Sequence, residues 1–167
     1  SVTDGTIFFM SDRDGNDNTY RLKASKPDEQ EQVTSNPAAD DKFDVSPVTG
    51  DIVFGTNRAG NWDIYIMNFD GCDQRPLANT ADDEYYPSWS PDGKQIAYSR
   101  TITTNVAEIF LMDADGKRQR QLTQNGQWSI YPTWSPDGHK IAYQRSASSE
   151  QSCSVNWDIY VTDLVYS

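Results

Sequence analysis

The stretch YYPSWSPDGKQIAYSR, residues 85–100, returns almost unchanged as SIYPTWSPDGHKIAYQR, residues 129–145, so that Trp89 and Trp134 stand 45 residues apart. A weaker copy, FDVSPVTGDIVFGTNR at residues 43–58, places Val45 a further 44 residues upstream. The turn glycines Gly5, Gly50, Gly93 and Gly138 follow at intervals of 45, 43 and 45. A second landmark, the aromatic of NTY, DIY, EIF and DIY, falls at Tyr20, Tyr65, Phe110 and Tyr160. Four copies are therefore present, spanning roughly 1–36, 37–80, 81–125 and 126–167. A period of this size means a small structural unit that buries its apolar surface against copies of itself.

Within a copy the signals are those of short antiparallel strands. The residue before a proline is pushed out of the helical region, so Tyr86 to Ser90 reads as extended. Pro91-Asp92-Gly93 then reverses the chain, proline fixing φ early and glycine accepting positive φ late. Pro136-Asp137-Gly138 does the same in the last copy. Gln95, Ala97 and Ser99 alternate with Ile96 and Tyr98, as a strand requires. A polar loop, the strand Glu108–Asp113, the turn Asp113–Gly116 and a last strand near Arg120–Thr123 complete the unit. Four hairpin-linked strands at this period predict a β-propeller, whose blades stack radially about a channel.

PSWSPDGKQIAY, PTWSPDGHKIAY, IFLMDADGKRQRQLT and NRAGNWDIYIMNFDGCDQRPL resemble the WD-repeat-like blades of TolB-type propellers, over essentially the whole chain. The resemblance is most specific in the third and fourth copies; in the second, DVSPVTG replaces the Trp-Ser-Pro-Asp-Gly phrase, and the first lacks its innermost strand. In this scheme Pro-x-Trp, with Trp89 and Trp134, forms the inner strand and packs between blades. Counting strands gives three, four, four and three, 14 in all or about 3.5 blades, whereas closed propellers need about four to eight complete ones. The fold expected is thus an all-β, incomplete propeller. Either the chain is a stretch of a longer polypeptide, or the ends of one copy complete the blades of another through open sheet edges.

Composition excludes several functions. The net charge of −11 and pI near 4.3 repel phosphate backbones, which argues against a nucleic-acid partner. Apolar runs such as Ile7–Met10 are strand-sized, far from the roughly 20 residues of a membrane-spanning helix, so no membrane insertion is expected. The lone histidine, His139, follows an exposed turn, and no Gly-x-Ser-x-Gly elbow is present, so no enzymatic activity is expected of these residues.

Candidate binding residues lie in the loops that lead into each inner strand and open around the channel. Asp40, Asp41, Asp82, Asp83 and Glu84 occupy two of them and Trp128 a third. Such a ring of carboxylates either holds a cation or a basic peptide, or is an ordinary solvated acidic surface. Trp62 and Trp157 precede a third strand on the same face; they read either as anchors for a protein or sugar partner or as packing between blades. Asp12, Asp14 and Asp17 have calcium-loop spacing without the later bidentate Glu. The second copy keeps Gly and Asn there but not the acids, which points equally to turn geometry; Ca²⁺ is the one cofactor the sequence raises. Cys72 and Cys153 fall on loops of opposite faces, which argues against an intramolecular disulfide and leaves an intermolecular one or two unpaired thiols.

The function expected is a noncatalytic scaffold. The resemblance implies protein partners in the cell envelope or extracellular space, hence a periplasmic or secreted location. Two alternatives remain: a structural subunit that associates with copies of itself into an oligomer or filament, and the propeller accessory domain of a larger hydrolase.

Overall fold

The computed structural model describes residues 5–146 and 156–164, and among them there is no helix. Fourteen strands form four antiparallel sheets. The first joins β1 (Thr6–Ser11), β2 (Asn18–Lys23) and β3 (Lys26–Gln32). The second runs β4 (Asp40–Val45), β5 (Ile52–Thr56), β6 (Asp63–Met67) and β7 (Arg75–Ala78). The third contains β8 (Glu84–Trp89), β9 (Gln95–Thr103), β10 (Val106–Asp113) and β11 (Arg120–Gln121). The fourth contains β12 (Ser129–Trp134), β13 (Lys140–Ser146) and β14 (Trp157–Asp163). Each sheet is a blade in strand order, and the first strands β4, β8 and β12 lie against one another. The expected incomplete propeller is the fold observed.

The serine of each Ser-Pro turn fixes its geometry. Ser90 Oγ donates to Asp92 Oδ1 at 2.7 Å and accepts from the backbone N–H of Gln95 at 2.9 Å, while Gly93, at φ +68°, donates its N–H to Ser90 O. Asp137 and Ser135 repeat this arrangement, and the two aspartate carboxyls are held below the ordinary range first by the serine hydroxyls. Ser46 accepts from the Thr49 N–H in the weaker copy, which shows why DVSPVTG turns without the Asp.

Both faces of the second and third blades are covered, because each of these packs between two others. Ile96, Ala97, Tyr98 and Ser99 are all buried, although they alternate between faces. Val53, Ile64 and Ile66 of the second blade meet Trp89, Ile96, Tyr98 and Phe110 of the third. Leu111 and Ala97 meet Ile141 and Leu164 at the next joint, and Ile52, Phe54 and Met67 face Phe8 of the first blade. Trp134 reaches back from β12, its Nε1–H donating to Ser88 O at 3.1 Å. The four landmark aromatics each carry a guanidinium over the ring: Arg13 over Tyr20, Arg58 over Tyr65, Arg100 over Phe110 and Arg145 over Tyr160, at 4.4, 4.8, 5.3 and 3.5 Å. Such contacts add roughly 0.5–2 kcal/mol, the upper end when desolvated.

The extended reading of Tyr86 requires correction. Tyr86 and Tyr131 both have φ +55°, and Lys42, their counterpart in β4, has φ 31°. The register with the neighbouring strand slips at each of these places. These are bulges, which bend the innermost strand where the blades converge. Pairing geometry here overrides the local preference of a residue preceding proline.

Candidate functional site

The loops entering β4 and β8 lie beside the turns 12–17 and 57–62, to which they are hydrogen-bonded. They are strapped together by the Asn that the first two copies share. Asn16 Nδ2 donates to Asn36 O and Ala38 O at 3.0 and 2.9 Å; Asn61 Nδ2 donates to Thr80 O and Asp82 O at 3.2 and 2.7 Å. Backbone bonds Asp40 N–H to Asp17 O and Glu84 N–H to Trp62 O complete each strap at 3.0 and 2.8 Å. The Gly-Asn spacing was visible in the sequence; its role across two loops was not.

Asp40 and Asp41 open β4 and Glu84 opens β8, so these three lie in strands rather than in the loops themselves. Asp40 and Glu84 are buried: Asp40 meets Arg58 at 3.3 Å, and Glu84 Oε1 accepts from Thr80 Oγ1 at 2.5 Å. Asp82 is bound by Arg100 at 2.6 Å, and Asp83 Oδ1 accepts the Trp62 N–H at 3.0 Å. Asp41 is partly exposed. Trp128 bridges to Ala107, and its carbonyl accepts from the Ser146 N–H at 3.0 Å. Trp157 opens β14 and is exposed.

Trp62 belongs to an aromatic ribbon that the sequence did not reveal. Its ring lies 6.3 Å from Tyr85, Tyr85 stacks at 5.5 Å on Tyr86, and Tyr86 stacks at 3.9 Å on Tyr131 of the next blade. The two positive-φ tyrosines thus meet on adjacent innermost strands. Burial, then Asp83, pushes the Tyr85 phenol up to about 12, and burial together with the bond to Tyr131 raises Tyr86 still further. These hydroxyls stay neutral near pH 7. The ribbon is amphipathic, with Asp41, Asp82 and Asp83 at its rim, and its donors, acceptors and ring faces suit recognition.

Elsewhere, Asp12, Asp14 and Asp17 sit on the turn after β1, where Tyr20 OH donates to Asp14 and Asp12 O accepts the Gly15 N–H. Among the described residues, no three acidic, Cys or His side chains converge in a way that could hold a metal ion. Cys72 is an exposed free thiol, raised first by the negative charge of Asp70; Cys153 lies outside the described residues.

No family model and no curated protein sequence match this chain. Solved structures do. A TolB from Agrobacterium tumefaciens aligns with a TM-score of 0.71 at 21% identity, covering 97% of this chain and 56% of its own. TolB from Acinetobacter baumannii gives 0.74 at 21% identity, over 95% of this chain and 38% of its own. A chain of a nidogen/laminin complex gives 0.69 at 13% identity, over 86% and 56%. An oligogalacturonate lyase from Vibrio parahaemolyticus and a puromycin hydrolase also match. The chain spans about half the length of the TolB structures, or less. At these identities the likeness establishes the fold, and the fold is that of β-propellers such as TolB.

Proposed function

We propose that the protein is a noncatalytic interaction scaffold, working in the periplasm or extracellular space, whose strapped loop face receives a basic segment of a protein partner. The observation that carries this reading is the ribbon Trp62–Tyr85–Tyr86–Tyr131 rimmed by Asp41, Asp82 and Asp83. Ring faces attract cationic side chains, and the carboxylates add long-range attraction that salt weakens. Backbone strain at Tyr86 and Tyr131 fits a site whose side chains are aimed by the scaffold. The likeness to a propeller in a nidogen/laminin complex and to TolB structures supports a protein partner and an exported location.

A fluorescent octa-arginine peptide tests it. Binding at low ionic strength is expected to weaken about three- to tenfold in Asp41→Asn/Asp83→Asn, since surface charge pairs contribute up to about 1 kcal/mol each. Asp115→Asn, on a turn of the opposite face, is expected to leave it unchanged. Equal loss in both variants would reduce the effect to net charge and overturn the reading.

A second reading, association with copies of itself, is favoured by the last blade. Ile159 and Val161 are 69% and 61% exposed, whereas their counterparts Ile64, Ile66, Ile109 and Leu111 are buried between blades. Light scattering of the 18.9 kDa chain is expected to show a multiple of that mass, reduced by Ile159→Lys. A monodisperse single-chain mass in the wild type would exclude this reading.

A further inference from the structure

At each joint between successive blades the repeat places one buried polar side chain two residues before the landmark aromatic and another at the start of the next blade's first strand. The pairs are Asn18 with Asp40, Asp63 with Glu84, and Glu108 with Ser129, and all six side chains are buried. At these positions the first and third joints each have one carboxylate and one neutral group. The middle joint holds two.

The middle joint also lacks a donor. Thr34 Oγ1 donates to Asn18 Oδ1 at 3.5 Å, and Thr123 Oγ1 donates to Glu108, which further accepts the N–H groups of Asn125 and Gly126 at 2.6 and 2.7 Å. The corresponding residue, paired with Ile64 in the sheet, is Ala78. Neither carboxylate oxygen of Asp63 has a hydrogen-bond partner among the described groups, and neither does Glu84 Oε2. The charged groups facing the pair are Asp82 and Asp83 from the entering loop and Arg100 from β9, with the Tyr98 phenol beside Glu84. Arg100 is committed to Asp82 at 2.6 Å and stands 3.7 Å from Glu84.

We propose that Asp63 and Glu84 share one proton in the folded protein, and that losing it at higher pH loosens the loops carrying Trp62. Two buried carboxylates without enough donors cannot both ionise at low cost. Burial, then the charge of Asp83, raises Asp63; burial raises Glu84 against the bonds from Thr80 and the charge of Arg100, and the Asp63 charge adds to the rise. Trp62 is adjacent, its carbonyl bonded to the Glu84 N–H and its own N–H to Asp83. The sign follows from linkage. A carboxyl whose folded pKa exceeds its unfolded value contributes stability that is fully present below the unfolded range and lost as pH rises through the folded one.

The test is a ¹³C carboxyl NMR titration of the whole protein, with urea unfolding across about pH 5 to 8. In the wild type one carboxyl of the pair is expected to titrate above the ordinary Asp and Glu range, with the urea midpoint falling as pH rises. Asp63→Asn reproduces Asn18 of the first joint; it is expected to bring Glu84 down and to flatten the pH profile. Ala78→Thr, which restores the hydroxyl present at residues 34 and 123, is expected to lower the Asp63 titration. Ordinary titration of both carboxyls in the wild type, or a pH profile unchanged in Asp63→Asn, would overturn the shared proton.

Discussion

Alanine at Ile64 is expected to destabilise the protein by about 2–5 kcal/mol, whereas alanine at Ile159, two blades on in the same position of the repeat, is expected to change the stability of the unassociated chain by no more than about 0.5 kcal/mol. Ile64 has no exposed surface and packs among Val53, Ile66, Trp89 and Tyr98 across the joint between the second and third blades. Truncation there removes buried methylenes and leaves a cavity that strands on both sides prevent from collapsing. Ile159 lies on the uncovered side of the last blade. Urea midpoints, with the slope checked for constancy, measure both. A large loss in Ile159→Ala would mean that another surface covers β14 in solution, which is what self-association requires. A small loss in Ile64→Ala would mean that the blades are not joined by this packing.

That asymmetry is legible in the strand count of the sequence, because turns of the type Pro-Asp-Gly and two-residue alternation are local signals. What escaped the sequence is non-local. Tyr86 and Tyr131 precede prolines, so the local rule made them extended, and only convergence of the innermost strands forces the bulges. Arg13 and Arg58 come from turns, while Arg100 and Arg145 lie within second strands, so one guanidinium role occupies two sequence positions. Asp40 and Glu84 looked like loop acids because the outer strands that precede them lack landmarks; their burial depends on the neighbouring blade. Ala78 becomes informative only once the outer strands show that Thr34 and Thr123 occupy the same place.

Gly116→Ala should be a second severe lesion, at about 2–5 kcal/mol, from two separable sources. Gly116 closes the turn between β10 and β11 at φ +84°, a conformation that costs an L residue about 1–2 kcal/mol. A Cβ there would stand 2.8 Å from the carbonyl oxygen of Leu77, at the outer strand of the preceding blade, and 3.2 Å from its Cα. Relieving such a contact requires one blade to shift against the other, at about 1–3 kcal/mol. Gly71 repeats the arrangement one blade earlier, with a Cβ 2.6 Å from Val33 O, so both third-to-fourth-strand turns are seated on a neighbour's backbone. Gly126, at φ +66°, has nothing within 4 Å of a Cβ. Gly126→Ala is therefore expected to show the conformational cost alone, and the difference between the two variants isolates the contact between blades. Equal losses would mean that these turns are strained but not seated, and that side-chain packing alone joins one blade to the next.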